Sequence, residues 1–353
     1  MQENHFAETH TRYVATLGPA SGNYETMEKL VQAGVSMFRN NFAHTQYDEY
    51  RDRLRFLKEI NAKHGTSVKM DADIQGTNIR LGILPGDGKM ELRAGETYVC
   101  VTNGGEVHEG EIPVNDTLLQ NEVKIGEPFI FADGAVDSII TALDGNRITV
   151  QVKNTGMIKS RKSINVPDTN FQRGCVTDKD REVLNFLINE SEVDWIALSF
   201  VGCKEDVFEV RNLIGDKNIK IMAKIERKKA MDNLIEITNA VDALMIARGD
   251  LGIEIPMEEV PVASKRMIRV AHEFNKPALM ATQMMLSMTQ SLRPTRAEVS
   301  DVANAVYDGA DGLMLSEETA EGAHPEHVLA TMVKIAKHIE EDMYPKDSLF
   351  GQY

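Results

Sequence analysis

The chain has 353 residues, 42% apolar and 26% charged, with a formal net charge of −15. It is too long for one average domain and ordinary in composition for a globular protein; its acidity excludes nucleic acid or an anionic membrane as the main partner. A local cluster of Arg and Lys can still bind an anionic small molecule. Cys100, Cys175 and Cys203 lack metal-ligand spacing and suit a reducing compartment. The opening "MQENHFAETHTR" lacks the basic-then-apolar build of a signal peptide, and no apolar run reaches the length of a membrane span. The expectation is a cytoplasmic protein.

In chain order, short β-rich apolar runs alternate with stretches of helical period. Strands are expected at 13–18, 36–42, 67–73, 195–200, 219–226, 243–250, 277–283 and 312–316. Helices are expected at 24–33, 47–63, 178–188, 206–213, 263–274, 296–307 and 325–338. Eight strands with intervening helices are the count for an α/β protein of the (β/α)8 TIM-barrel kind, although an open doubly wound sheet also fits the alternation. The pattern breaks after the third strand, where "ELRAGETYVCVT", "EPFIFADGAVDSI" and "NRITVQV" read as hairpins. This predicts a small antiparallel β-barrel lid over residues 82–165, inserted into a barrel domain formed by 1–81 and 166–353.

In a barrel, the C-terminal strand ends carry the chemistry. Here they read Arg39-Asn40-Asn41, Asp71-Ala72-Asp73, Lys224-Ile225-Glu226, Arg248-Gly249-Asp250, Thr282-Gln283 and Ser316-Glu317-Glu318, while the fourth end, Ser199-Phe200, is less polar. Charged groups at apolar strand ends are costly unless they meet partners or a ligand. Glu226 and Asp250 suit a hard divalent cation, which takes one or two carboxylates and completes its shell with water and substrate oxygens. Lys224 lies on the same strand face as Glu226 and would point into the same space, where it can neutralise a phosphoryl group or an enolate. Lys224 and Glu226 alone would equally suit an ion pair at a barrel rim. Arg39 and Arg80 can contact phosphate oxygens. In "IARGDLGIEIP" (246–256), a strand runs into two glycines that admit a ligand close to the backbone, with a helical turn behind.

Over nearly its whole length the sequence resembles the pyruvate kinase family. The matching stretches are "VATLGPAS" (14–21), "RNNFAH" (39–44), "DIQGTNIRLG" (73–82), "SRKSINVPD" (160–168), "IMAKIE" (221–226), "IARGDLGIEIP" (246–256), "ATQMMLSM" (281–288) and "PTRAEVSDVANAVYDGADGLMLSEETAEG" (294–322). The resemblance implies a (β/α)8 barrel with a lid, and phosphoryl transfer between phosphoenolpyruvate and ADP by way of an enolate, giving pyruvate and ATP. It implies that Lys224, Thr282 and Arg39 are catalytic. Gly249, Asp250 and Arg248 would bind substrate together with Lys224 and Thr282, and Arg39, His44 and Arg80 would bind nucleotide. Glu226 and Asp250 would hold Mg2+ or Mn2+, and Asn41, Asp73 and Ile74 would hold K+. A homo-oligomer through barrel helices is the further expectation.

Several positions depart from the family pattern. Ala43 stands where a Ser hydroxyl completes the K+ site, and Ile74 stands for a Thr that ligates through its carbonyl. Gln75, Thr77 and Asn78 replace Lys, Pro and Glu. Gly202 and Cys203 replace an Arg-Lys pair whose lysine helps with nucleotide phosphate, and Lys204 comes one residue late. Leu286 replaces a Glu and Glu317 a Gly. The family usually continues into a C-terminal α/β domain, whereas this chain stops at Tyr353, about where the barrel ends. The alternative function is a metal-dependent enolate enzyme (lyase, decarboxylase or transferase) that acts on a pyruvate-like acid without a nucleotide.

Overall fold

The computed structural model describes residues 9–86 and 88–344. Eight parallel strands close into a barrel: Arg12–Leu17, Met37–Asn41, Lys69–Ile74, Trp195–Leu198, Lys220–Ile225, Ala243–Ala247, Ala278–Ala281 and Gly312–Leu315. The eighth strand pairs with the first, with Arg12 opposite Gly312. This settles the choice that the alternation left open. Outward-facing residues such as Ala15, Phe38, Ile196 and Leu244 pack under the helices, while Val14, Met37, Ala197, Met222, Met245 and Met314 fill the interior. The N-terminal mouth holds a cavity of about 590 Å3 whose walls, including Val14, Met37, Trp195 and Leu279, are largely apolar. The charged groups converge at the opposite mouth.

Three strands end two or three residues earlier than the apolar pattern suggests. The sixth stops at Ala247, because Arg248 already begins the helix Arg248–Glu254. The fourth and seventh stop because Phe200 (φ 58°) and Thr282 (φ 69°) turn the chain into the left-handed region. Helix starts follow local chemistry: Thr177 and Thr295 each cap a helix through a reciprocal pair with Asp180 and Glu298. The expected helix at 178–188 is α-helical over Asp178–Asn185 and finishes as a π turn over Phe186–Glu190.

The lid enters after the third strand and has its own core around Phe129, Phe131, Ile140, Ile148 and Val150. Its hydrogen bonding runs in two sheets. One is a six-stranded sheet centred on Val136–Asp144, and the other pairs Lys89–Leu92 with Gly156–Lys159. At the crossing into the lid Gly76 has φ 69°, and a Cβ there would stand 2.7 Å from the Ser199 carbonyl oxygen. Only glycine fits both demands.

Buried carboxylates pin the loops at the C-terminal mouth. Asp180 accepts the N–H groups of Gln75, Gly76 and Thr177. Asp206 accepts those of Cys175, Gly202 and Cys203, at 3.0, 2.7 and 3.2 Å. Glu318 accepts those of Met285 and Ser316. Replacing Asp206 by Ala strands three backbone donors, two of them buried, so Asp206→Ala should lower unfolding free energy by about 3 kcal/mol. Removing its exposed neighbour, in Glu205→Ala, should change it by less than about 0.5 kcal/mol. Urea titration of both variants checks the contrast.

Candidate active site

The fifth strand aims Lys224 at the barrel axis, and Glu226 follows on the same face just past the strand's end. The Lys224 ammonium lies 2.9 Å from Glu226 Oε1, 3.2 Å from Asp73 Oδ2 and 2.7 Å from Ser199 Oγ. Asp73 also holds Arg39 through Nε and Nη2 at 2.8 and 2.7 Å, while Ser199 donates to it at 3.0 Å. Arg39 Nη1 donates to Thr16 Oγ1. Five groups from the second, third, fourth and fifth strands thus form one buried charge cluster.

The electrostatics follow from burial and proximity. Burial works against the charged Lys224, but Asp73 and Glu226 outweigh it and its pKa is raised. Burial likewise pushes Asp73 up, yet Lys224 and Arg39 prevail and hold its carboxyl below the usual range. Glu226 is different: burial raises it to about 7 against the pull of Lys224, with Asp250 and Asp73 adding to the rise. Asp250 is raised for the same first reason, with Asp133 of the lid contributing. Glu226 and Asp250 lie within each other's reach at the cleft floor, and the left-handed turn at Phe200 delivers its N–H to Glu226 Oε2 at 2.7 Å. Two neighbouring carboxylates that resist ionising together are a donor set suited to a divalent cation.

Thr282 and the helix Arg248–Glu254 form the adjoining wall. The Gly249 N–H donates to Thr282 Oγ1 at 2.9 Å, and that hydroxyl donates to the Ala281 carbonyl at 2.7 Å. Arg248 does not face the cleft. Its guanidinium pairs with both Asp301 oxygens at 2.6 and 2.7 Å and with the Thr282 carbonyl at 2.9 Å. It holds the left-handed Thr282 in place and is committed mainly to Asp301 and the backbone at Ala281 and Thr282.

The monovalent-cation residues are drawn inward. Asn41 Oδ1 accepts the Ala43 N–H at 3.0 Å, Asp73 is taken up by two cations and a hydroxyl, and Ala43 brings no hydroxyl. This set does not fit K+. His44 is exposed at the rim, while Arg80 spans the crossing into the lid with Nη1 on the Arg161 carbonyl. Arg80, Asp133 and Asp250 line one narrow cleft of about 90 Å3 between lid and barrel. Asp71, grouped with Asp73 in the sequence, points lower into the barrel, where burial drives its carboxyl well above the ordinary value.

Sequence reasoning passed over four contributors. Ser199 was hidden by the apolar look of the fourth strand, although it falls on the interior-facing register with Ala197. Phe200 gives only a backbone N–H. Asp133, held by Ser163 and by Lys162 at 2.5 and 3.0 Å, comes from a lid turn whose neighbour Ala132 also has positive φ. Lys229 packs its methylenes 3.4 Å from where a Gly202 Cβ would stand and donates to Asn170 at 2.6 Å. Its chain lies beside Gly202 but its ammonium is committed to Asn170, and Lys204 pairs with Glu236 at 3.3 Å.

Fold and site together define a barrel enzyme with a lidded, charge-lined cleft at its C-terminal mouth. The sequence profile of the barrel domain of pyruvate kinase matches residues 8–329. A pyruvate kinase from Thermococcus litoralis is 40% identical over 333 residues, covering 94% of this chain and 70% of the relative. One from Staphylococcus saprophyticus is 39% identical over 335 residues, covering 94% of this chain and 57% of that protein. A crystal structure of a Cryptosporidium parvum pyruvate kinase superposes with a TM-score of 0.89 at 35% identity, over 95% of this chain and 71% of that one. The chain belongs to the pyruvate kinase family and is a phosphotransferase by membership.

Backbone strain is concentrated at this site, with Phe200, Thr282, Gln283, Ala132 and Asp133 all at positive φ. Gln283 (φ 55°) is exposed. The substitution Gln283→Gly should therefore raise stability by about 1 kcal/mol, as read from urea titration.

Proposed function

We propose that the chain transfers the phosphoryl group of phosphoenolpyruvate to ADP, yielding pyruvate and ATP. The observation that carries this reading is the placement of Lys224. An ammonium whose charge is favoured by Asp73 and Glu226 is fixed between them, on the side of the cleft that holds Arg39 and Asp250. Phosphoryl transfer depends on positioning and on charge neutralisation at the moving group. Lys224 supplies that charge at a fixed point, and the salt bridge to Asp73 stops Arg39 from collapsing onto the substrate. Arg39, Arg80 and His44 face the nucleotide side, with Lys162 beside Asp133. Gly249 leaves room for the substrate carboxylate next to Asp250. The Thr282 hydroxyl orients the proton donor for the enolate carbon.

Glu226 and Asp250 would hold Mg2+ or Mn2+, which when bound neutralises substrate oxygens. Members of the family generally use both a divalent ion and K+, but the K+ donors here are spent on internal partners. A cytoplasmic location accords with the family. Among the described residues no helix is long and apolar enough to cross a membrane. Exposed Phe208, Ile235 and Val262 on successive barrel helices support self-association through that surface, and the acidic charge argues against nucleic acid.

One observation favours the second reading, an enolate-forming enzyme without a nucleotide. Gly202 and Cys203 carry no cation, and the nearby Lys229 is bound to Asn170. Calorimetry separates the two. With Mg2+ present, binding of oxalate and of ADP supports the kinase, while oxalate binding with no ADP binding supports the alternative.

Two outcomes are expected in a coupled assay with phosphoenolpyruvate, ADP and Mg2+. Glu226→Ala and Asp250→Ala should each cost at least about 1,000-fold in kcat, roughly 4 kcal/mol, with the circular dichroism spectrum unchanged. Substantial turnover in either variant would remove the metal assignment. Exchanging K+ for tetramethylammonium should alter the wild-type rate less than about twofold, and Ala43→Ser should increase the response to K+. Strong saturable activation of the wild type by K+ would contradict the reading of Asp73 as saturated.

A further inference from the structure

The helix Arg248–Glu254 carries Asp250 in its first turn and Glu254 at its end. Glu254 is 8% exposed and accepts Asn165 Nδ2 at 3.1 Å. Asn165 sits on the two-residue strand by which the lid returns toward the barrel. On the other side of Glu254 stands Arg227, the residue that follows Glu226. Its guanidinium rests 4.5 Å over the Phe171 ring and attracts the Glu254 carboxylate, which the Lys228 N–H also faces. One side chain therefore touches the lid and both segments that carry the proposed metal ligands.

This junction is unsaturated. Glu254 Oε2 and Asn165 Oδ1 are buried with no hydrogen-bond partner, and Arg227 makes one long bond, 3.5 Å, to the Thr169 carbonyl. All three residues border the same lid–barrel cleft as Asp250. Buried polar groups normally find partners, and spare capacity in such a cluster suits an arrangement that exchanges partners as the lid moves.

We propose that Glu254 is a positioning residue that couples the lid, through Asn165, to the spacing of Glu226 and Asp250. This rests on the assignment of those two carboxylates as a divalent-metal pair. The seven-residue helix is the lever: a shift of Asn165 pulls one end, and Asp250 moves at the other.

The test combines Mn2+ affinity, read from the paramagnetic resonance of the free ion, with phosphoenolpyruvate kinetics. Glu254→Ala and Asn165→Ala should each weaken Mn2+ binding and raise the KM for phosphoenolpyruvate by about fivefold to tenfold. The KM for ADP should hold and kcat should stay within about twofold. The double variant should be no worse than Glu254→Ala alone, because both changes cut one link. Glu254→Gln, whose amide oxygen still accepts from Asn165, should recover most of the loss. Unchanged Mn2+ affinity in the folded single variants, or multiplicative losses in the double variant, would overturn the proposal. If Glu254→Ala does not fold, Asn165→Ala and Glu254→Gln decide by the same readings. A wild type that binds no Mn2+ overturns the metal assignment and this coupling together. Mn2+ binding without turnover overturns the kinase reading alone, and the affinities still decide the coupling.

Discussion

The Asp73 carboxylate is the constraint on which this molecule depends. An ammonium buried inside a barrel would ordinarily lose its proton or drag in water. Asp73 prevents this by holding Lys224 and Arg39 at once, with Ser199 filling the remaining acceptor capacity. Buried ion pairs contribute little net stability, because desolvation offsets the attraction, but they fix geometry. Here the fixed geometry places two cations of the second and fifth strands on one side of the cleft. The same saturation withdraws Asp73 from any monovalent ion, so one interaction serves the lysine at the expense of a K+ site.

Around that cluster the loops are held by two devices. Carboxylates buried behind the mouth gather backbone N–H groups: Asp180, Asp206 and Glu318 each bridge segments that are far apart in sequence. Strained residues at the mouth then turn N–H and hydroxyl groups inward. Phe200 offers its N–H to Glu226, and Thr282 offers Oγ1 to the Gly249 N–H. Arg248, spent on Asp301 and the Thr282 carbonyl, holds the second of these turns in its unfavourable conformation. The strain persists because surrounding bonds over-determine it.

These devices explain what was legible in the sequence and what was not. The barrel was visible because buried parallel strands read as apolar runs and helices carry their own period. Lys224, Glu226, Asp73 and Arg39 were visible because charge at the end of an apolar strand demands a reason. Ser199 was not, since a single hydroxyl in "WIALSF" raises no electrostatic alarm; its role exists only once the third and fifth strands flank it. Arg248 was misleading for the opposite reason, because a cation beside Gly249 and Asp250 looks like ligand chemistry until Asp301, fifty-three residues on, is seen to claim it. The strand ends at 198 and 281 were invisible, because left-handed Phe and Thr follow no propensity. Asp133 and Glu254 depend on where the lid sits, which no local pattern records.

The charges that line the cleft do not balance. Two cations, Lys224 and Arg39, face three carboxylates, Asp73, Glu226 and Asp250. One cation is effectively neutralised by Asp73, which leaves the Glu226–Asp250 pair to face the cleft. A phosphorylated carboxylic acid brought against that pair meets like charge, and Glu226, raised to about 7, already resists ionising beside Asp250. Lys224 alone cannot offset a phosphate, a carboxylate and two acidic side chains. Glu226 and Asp250 would hold a divalent ion, whose charge would offset theirs and let the Lys224 ammonium act on the moving phosphoryl group. The arrangement that keeps Lys224 charged therefore favours a metal: Glu226, 2.9 Å from its ammonium, is one of the two carboxylates whose charge a divalent ion would offset.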